Sequence, residues 1–356
     1  MGPSRRPTHQ RPTIGDKLDF LGSTVAYPEG ARTVVVTETH MSWVFLTDAH
    51  AYKLKKPVKY GIVDYRSLAA RRLNCQREVR LNRRLAPDVY LGMVALRVDP
   101  GGALHLGGRG RAVEWLVKMR RLPARRTLEH AIRAHAVRPK DVDAVARRLS
   151  RFYRDAPRPV LTPRRYRRSL AAQIVESRRH LIRPAFLLDK KRVSSIAAAL
   201  LDFLDCHTDL FAKRARSGKI VEAHGDLRPE HIYLCDDPII VDCLEFDRDL
   251  RILDPASELA YLSMECERLG AGSIEDRLFA TYRRETQDDP PDLLIVAYKA
   301  FHAYLRAKVA ISHLDDVEVR QPLKWKRRTQ QYLKLAEKHV RGLGTRREAR
   351  AAAPRR

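Results

Sequence analysis

The feature that most constrains this chain is a change of hydrophobic period near residue 120. Before it lie short β-branched runs, Thr33–Val36, Trp43–Thr47, Tyr52–Leu54, Val94–Val98 and Val113–Val117. Thr47-Asp48-Ala49-His50 and Pro100-Gly101-Gly102 supply turns between several of them, the pattern of strands joined by tight connections. One helical stretch interrupts the strands, from Ser67, a residue suited to capping, to Leu85, with Pro87 as its stop. After residue 120 the period is mostly helical, through segments near 139–152, 164–183, 191–214, 255–268, 291–313 and 324–340. A single strand-like patch intrudes, Ile232–Leu234 and Ile239–Val241, turning at Asp236-Asp237-Pro238. The chain therefore reads as α+β. An N-terminal lobe, 14–120, holds a small sheet with one helix, and a larger, mainly helical lobe spans 121–340. Residues 1–13 and 341–356 lack apolar periodicity and read as flexible basic tails.

Chemistry concentrates in His224-Gly225-Asp226-Leu227-Arg228-Pro229-Glu230-His231 and in Ile239-Ile240-Val241-Asp242. Asp226 falls in a loop before the hairpin and Asp242 at the end of its second strand. Phosphoryl transfer to a hydroxyl requires such a pair: one carboxylate accepts the hydroxyl proton, and another holds the metal that neutralises the phosphates. An isolated Asp in a turn is ordinarily a cap or turn residue. The ordered spacing with His224 and Asp254 argues for more than that.

These residues resemble the aminoglycoside phosphotransferase-like branch of the protein-kinase fold, whose catalytic loop reads His-Gly-Asp-x-x-x-x-Asn. Asp254-Pro255-Ala256-Ser257-Glu258-Leu259-Ala260 looks like the element that follows the metal aspartate in that family. Glu38-Thr39-His40-Met41-Ser42-Trp43-Val44-Phe45-Leu46 and Ala51-Tyr52-Lys53-Leu54-Lys55-Lys56-Pro57 look closest to an uncharacterised bacterial group within it. The resemblance covers about residues 14–315 and implies a two-lobed protein-kinase-like fold that uses ATP and Mg²⁺ to phosphorylate a small-molecule hydroxyl. It makes Asp226 the catalytic base and Asp242 the metal aspartate. Arg228 takes the place of a γ-phosphate-binding lysine, and His224 braces the loop by hydrogen bonding. Lys53 and Lys55 alternate along one strand and share a face. Lys55 fits the Val-Ala-Ile-Lys pattern better, with Lys53 the alternative, and Glu78 is the carboxylate to hold it. Met119 is placed like an adenine-facing hinge residue. Two departures stand out. The first turn, Glu38 to Ser42, has no glycine, which leaves Ser42 as the candidate phosphate contact. His231 replaces Asn, and an imidazole at a metal site shifts preference from Mg²⁺ toward Mn²⁺. These departures keep open a pseudokinase that binds nucleotide as a regulatory module. The Asp-Leu-Arg-Pro-Glu string keeps open a protein Ser/Thr kinase.

Other readings carry less. No P-loop, Gly-x-Gly-x-x-Gly or His-Glu-x-x-His pattern occurs, and the spacing of His224, His231, Cys235 and Cys243 matches no compact zinc module. Five cysteines without a Cys-x-x-Cys pair point to a reducing cytoplasm rather than a disulfide framework. No apolar run suits a membrane span, and the basic N-terminus lacks a signal core. Lys and Arg exceed Asp and Glu by 69 to 43, a net +26. That charge alone reads as solvated surface before it reads as nucleic-acid binding. Eleven basic residues against two acidic ones between Arg158 and Arg192 suggest an acceptor that is neutral or anionic rather than an aminoglycoside.

Overall fold

The computed structural model describes residues 12–60, 63–315 and 321–351. The chain forms two compact units. The first runs to Pro123 and also takes in Ile240–Phe246; the second holds Ala124–Ile239 and the chain from Asp247 onward. The return of Ile240–Phe246 corrects the sequence division, which put that stretch in the second lobe.

In the first unit, helix α1 (Ile14–Gly22) opens with a capping box, Thr13 accepting from the Asp16 amide and Asp16 from the Thr13 amide. The strands are β1 (Val35–Glu38), β2 (Ser42–Leu46), β3 (His50–Lys55), a small pair β4 (Lys59–Tyr60) and β5 (Val63–Asp64), then β6 (Tyr90–Val98), β7 (Leu104–Leu106) and β8 (Arg111–Arg120). Six of them make one antiparallel sheet in the order β1-β2-β3-β8-β6-β7. Alternation along β3 sends Tyr52 and Leu54 into an apolar core with Leu21, Phe45, Leu96 and Leu116. The intervening residues, Lys53 and Lys55, therefore face the other side, where they meet α2 (Leu68–Asn82).

Ser67 caps α2, its hydroxyl accepting from the Ala70 amide at 3.1 Å. The buried stripe of α2 is unusually polar: Arg71, Asn74, Cys75, Glu78 and Asn82 recur at helical spacing. Arg71 grips the buried Glu114 of β8 with two hydrogen bonds of 2.7 Å, and Lys17 adds a third cationic contact at 3.1 Å. Charge pairing thus does here what apolar packing does on the other face of the sheet.

The second unit contains α3 (Leu128–Arg133), α4 (Pro139–Asp155), α5 (Pro163–Leu181), α6 (Lys190–Cys206), α7 (Thr208–Arg216), α8 (Pro255–Arg268), α9 (Ile274–Thr286), α10 (Asp292–Ser312) and α11 (Pro322–Ala351). Short strands β9 (Val221–Glu222) and β12 (Ile252–Leu253) pair with each other, and β10 (Ile232–Tyr233) forms the expected hairpin with β11 (Ile239–Ile240). Helix α8 is buried from Pro255 to Cys266. Asp254 caps it and holds Arg214 through two hydrogen bonds of 2.6 and 2.7 Å. The helix expected over 191–214 breaks at His207, whose ring stacks on Phe203 and whose Nδ1 lies 3.1 Å from the Phe203 carbonyl. Helices α1, α3 and α9 were not anticipated. Of the expected tails, 1–11 and 352–356 lie outside the described residues, whereas 341–351 prolong α11. None of the described helices is long and apolar enough to cross a membrane.

Candidate active site

Two clusters of charged side chains, one in each unit, contain most of the residues singled out from the sequence. In the first unit Lys53 Nζ bridges two carboxylates, 2.9 Å from Glu78 and 2.8 Å from Asp242. Lys55 Nζ lies 2.5 Å from the other Glu78 oxygen and 2.6 Å from Glu245. Burial alone would lower the pKa of both lysines, but Asp242, Glu78 and Glu245 around Lys53, and Glu245 and Glu78 around Lys55, outweigh it and hold both above the usual lysine value. Burial likewise opposes the Glu78 charge, and the two ammonium groups keep its pKa below the ordinary carboxylate range.

The lysine that touches the predicted metal aspartate is therefore Lys53, not Lys55. The Lys55 side chain is 1% exposed and committed to Glu78 and Glu245, whereas that of Lys53 is 15% exposed. Asp242 itself stands in the left-handed region, φ 63°, a conformation Asp tolerates better than most residues. Its amide donates to the Tyr90 hydroxyl at 3.1 Å, and the next amide, of Cys243, donates to Asn82 at 2.8 Å. These two bonds fix the backbone while the carboxylate stays 41% exposed.

Ser42 begins β2 directly opposite Lys55. Its hydroxyl is buried without a hydrogen-bond partner, so it does not face solvent as a phosphate contact would. The glycine-free turn before it is closed by Thr39, whose hydroxyl accepts from the Ser42 amide and whose amide donates to the Ser42 carbonyl. A side chain here replaces the conformational freedom of glycine. Met119 lies half-buried in β8, paired with Ala51 and Tyr90.

The second cluster is built on the loop from His224 to His231. Gly225 adopts φ 87°, which favours glycine, and the His224 and Gly225 amides both donate to Glu258 of α8, at 3.2 and 2.6 Å. His224 is fully buried, and its Nδ1 accepts from the Asp226 amide at 3.3 Å, a bracing contact. The Asp226 carboxylate accepts from the Tyr261 hydroxyl at 2.9 Å on one oxygen and from Arg228 Nε at 3.1 Å on the other. Arg228 spends its remaining donors on Glu230, at 2.5 Å, and on His231 Nε2, at 3.0 Å. Burial opposes its charge, and Asp226 raises its pKa above the ordinary arginine value.

His231 has no nitrogen to offer a metal in this arrangement. Its Nδ1 lies 2.8 Å from the Asp226 carbonyl, which can only accept, so the proton sits there. Nε2 is then the acceptor for Arg228 and its lone pair is used. The sequence reading expected His231 to contact metal; here its two nitrogens face Arg228 and the Asp226 carbonyl instead. Among the described residues no group of three or more His, Cys, Asp or Glu has the arrangement of a metal site. Asp242, a hard and partly exposed oxygen donor, fits Mg²⁺, which is commonly held by one or two carboxylates together with substrate phosphates and water.

Sequence reading missed Glu245, Glu258, Tyr261, Arg306 and His302. Glu258, Tyr261 and Glu265 recur on one face of α8, and Arg306 follows His302 by four residues on the apolar α10, so a charge-on-a-buried-stripe signal was present. The basic stretch in α5 lies differently: Arg164, Arg165, Arg168, Arg178 and Arg179 are exposed, and Arg167 and Arg183 pair with Asp205 and Asp315.

No protein-family model matches the chain. Uncharacterised proteins of Mycobacterium tuberculosis (strain H37Rv) and Mycobacterium bovis are 34% identical over 284 residues, 77% of this chain. The chain spans about half, 54%, of the length of these curated relatives. Among solved structures, a choline/ethanolamine kinase family protein from Mesorhizobium loti overlaps 92% of this chain and 98% of its own, at 16% identity and a TM-score of 0.55. Choline kinase from Cryptosporidium parvum overlaps 87% and 90%, at 10% identity and a TM-score of 0.53. Likeness of this extent at so low an identity speaks for backbone architecture rather than for side-chain chemistry. A curled antiparallel sheet unit followed by a larger helical one, shared with these kinases, shows that the chain has a protein-kinase-like fold.

Proposed function

We propose that the chain is a phosphotransferase that moves the γ-phosphate of ATP to a hydroxyl of a small molecule. The observation that carries this reading is Lys53 held between Glu78 of the helix and Asp242 of the returning segment. A lysine braced by a helix carboxylate, next to a partly exposed aspartate, is the arrangement kinases use to grip phosphates and their metal. Bound Mg²⁺, held by Asp242 with phosphate oxygens and water, would neutralise charge on the transferring group. Lys53 would contact the α/β-phosphates, and Lys55 would set the position of Glu78.

Asp226 would act as base. Tyr261 and Arg228 hydrogen-bond to its two oxygens and fix the carboxylate's direction, and a carboxylate can accept more than one hydrogen bond on each oxygen. As the hydroxyl oxygen bonds to the γ-phosphorus, its proton passes to Asp226. The bond from phosphorus to the bridging oxygen breaks, and ADP leaves with the electron pair. Arg228 is a positioning residue, since its donors hold Asp226, Glu230 and His231.

A second reading, nucleotide binding without transfer, is favoured by the commitment of His231 to Arg228 where kinases of this fold place a second metal ligand. One experiment separates the two. Asp226→Asn is expected to keep nucleotide affinity while acceptor-dependent ADP release falls by about 10²–10⁴-fold. Unchanged turnover in Asp226→Asn would remove Asp226 from the mechanism. Nucleotide binding with no turnover in the parent protein, across a broad acceptor panel, would select the second reading.

A further inference from the structure

We infer that the acceptor carries an anionic group, a carboxylate or a phosphate, which Arg306 of α10 receives beside Asp226. This rests on the phosphotransferase reading of the same loop. Around Asp226 the other charged groups are hydrogen-bonded. Asp226 takes Tyr261 and Arg228, Glu230 takes Arg228, and Glu265 takes Arg268 and the Tyr332 hydroxyl, each at 2.7 Å. Arg306 balances the charge of this set but is its one member that makes only long ion pairs and no hydrogen bond among the described residues. Its guanidinium comes no nearer than 3.6 Å to Glu265 and 4.0 Å to Asp226, and has a buried Nε without a hydrogen-bond partner. The side chain is nevertheless only 19% exposed, with its guanidinium 5.7 Å from the Tyr332 ring centroid.

A guanidinium is a planar fork of five donors, and leaving it largely desolvated without acceptors is costly. The partner that satisfies a fork is a carboxylate or phosphate with two oxygens in one plane. The distance sets a second requirement. Arg306 Nη1 and Asp226 Oδ1 are 4.0 Å apart. A hydroxyl bonded to Asp226 and an anion bonded to Arg306 therefore belong to neighbouring parts of one small molecule, as in a hydroxy acid or a sugar phosphate. A quaternary or primary ammonium acceptor would instead meet two guanidinium groups near the base.

Calorimetric titration of the full chain without nucleotide tests this, using glycerate, glycerol 3-phosphate and inorganic phosphate against glycerol and choline. At least one anionic probe is expected to bind about tenfold or more tighter than glycerol and choline. Arg306→Gln should abolish that preference and Arg306→Lys should keep part of it, since the charge remains and the fork is lost. Preference confined to glycerate identifies a carboxylate. Preference confined to the two phosphates identifies a phosphate. Equal binding by Arg306→Gln and the parent, or tighter binding of glycerol or choline, overturns the inference. ADP titrations in the same proteins keep the two ideas apart. ADP binding without anion preference removes this inference alone. Arg306-dependent anion binding without any ADP binding removes the phosphotransferase reading and leaves an anion site.

Discussion

The cluster around Glu78 and the cluster around Asp226 solve the burial of charge in opposite ways. In the first, two lysines meet three carboxylates, Glu78, Asp242 and Glu245, and the excess is one negative charge on the more exposed member, Asp242. In the second, three carboxylates, Asp226, Glu230 and Glu265, meet three guanidinium groups, so the charges balance, and the member held only by long ion pairs is a cation, Arg306. Lysine is a compact point charge and can sit between two carboxylates at once. Arginine is a rigid fork that is either matched or conspicuously unmatched. On the proposals above, the first cluster would receive a metal cation with phosphates, and the second an anion. The contrast also separates what holds the fold from what is left for ligands.

Breaking the first cluster should produce the largest effect. Glu78→Gln leaves Lys53 and Lys55 with one fewer buried counter-charge, and losing one partner of a buried pair costs about 3–5 kcal/mol. Urea unfolding is expected to show a loss of that order, whereas Asp242→Asn, at the exposed end, should cost much less stability and weaken metal-dependent nucleotide binding. Comparable destabilisation by both would mean that the cluster has no structural and functional ends.

The second cluster can be probed through what lies behind it. His302 is buried, stacks on Tyr261 at 4.7 Å, and has its Nε2 2.9 Å from the Ser257 hydroxyl. Burial pushes its pKa down to about 3. In the unfolded chain a histidine takes a proton near pH 6.5, so the unfolded state binds more protons between pH 6.5 and 3, and stability falls as pH drops through that window. The loss reaches about 2 kcal/mol by pH 5. Thermal unfolding of His302→Asn between pH 7 and 5 should show a shallower dependence than the parent protein. An unchanged slope would show that His302 is not the group responsible.

The smallest effect sharpens the comparison most. Because both His231 nitrogens are engaged, His231→Asn is expected to leave the ratio of activity in Mn²⁺ to that in Mg²⁺ unchanged. A clear shift of that ratio would place the imidazole on a metal and return the second cluster to cation binding.

Much of this architecture was legible from local pattern. The strand runs, the Ser67 cap and the Asp254-Pro255 helix start depend on neighbours within a few residues, and each appears in the structure close to where the sequence placed it. The same is true of Lys53 and Lys55 sharing a face, since side chains alternate along any strand. Helices α1, α3 and α9 were missed although α9 carries Ile274, Leu278, Phe279 and Tyr282 on one stripe, a signal that short helices share with loops.

What the sequence determined by itself was the set of chemically able groups and the local elements carrying them: Asp226 in its glycine turn, Asp242 after its strand, two alternating lysines and a helix glutamate. Tertiary structure decided which groups face which. Glu78 and Asp242 are 164 residues apart in sequence, and the return of Ile240–Phe246 to the first unit brings Asp242 to Lys53 and Glu245 to Lys55, while Glu78 touches both lysines. His231 lost its lone pair to Arg228 through side-chain directions that spacing does not specify. Arg306, 80 residues after Asp226, is carried to within 4.0 Å of that carboxylate by the packing of α10. Local propensity acts over a few residues, whereas charge pairing in a low-dielectric interior acts on whatever packing brings together, so the partners of a buried charge become visible only in the folded chain.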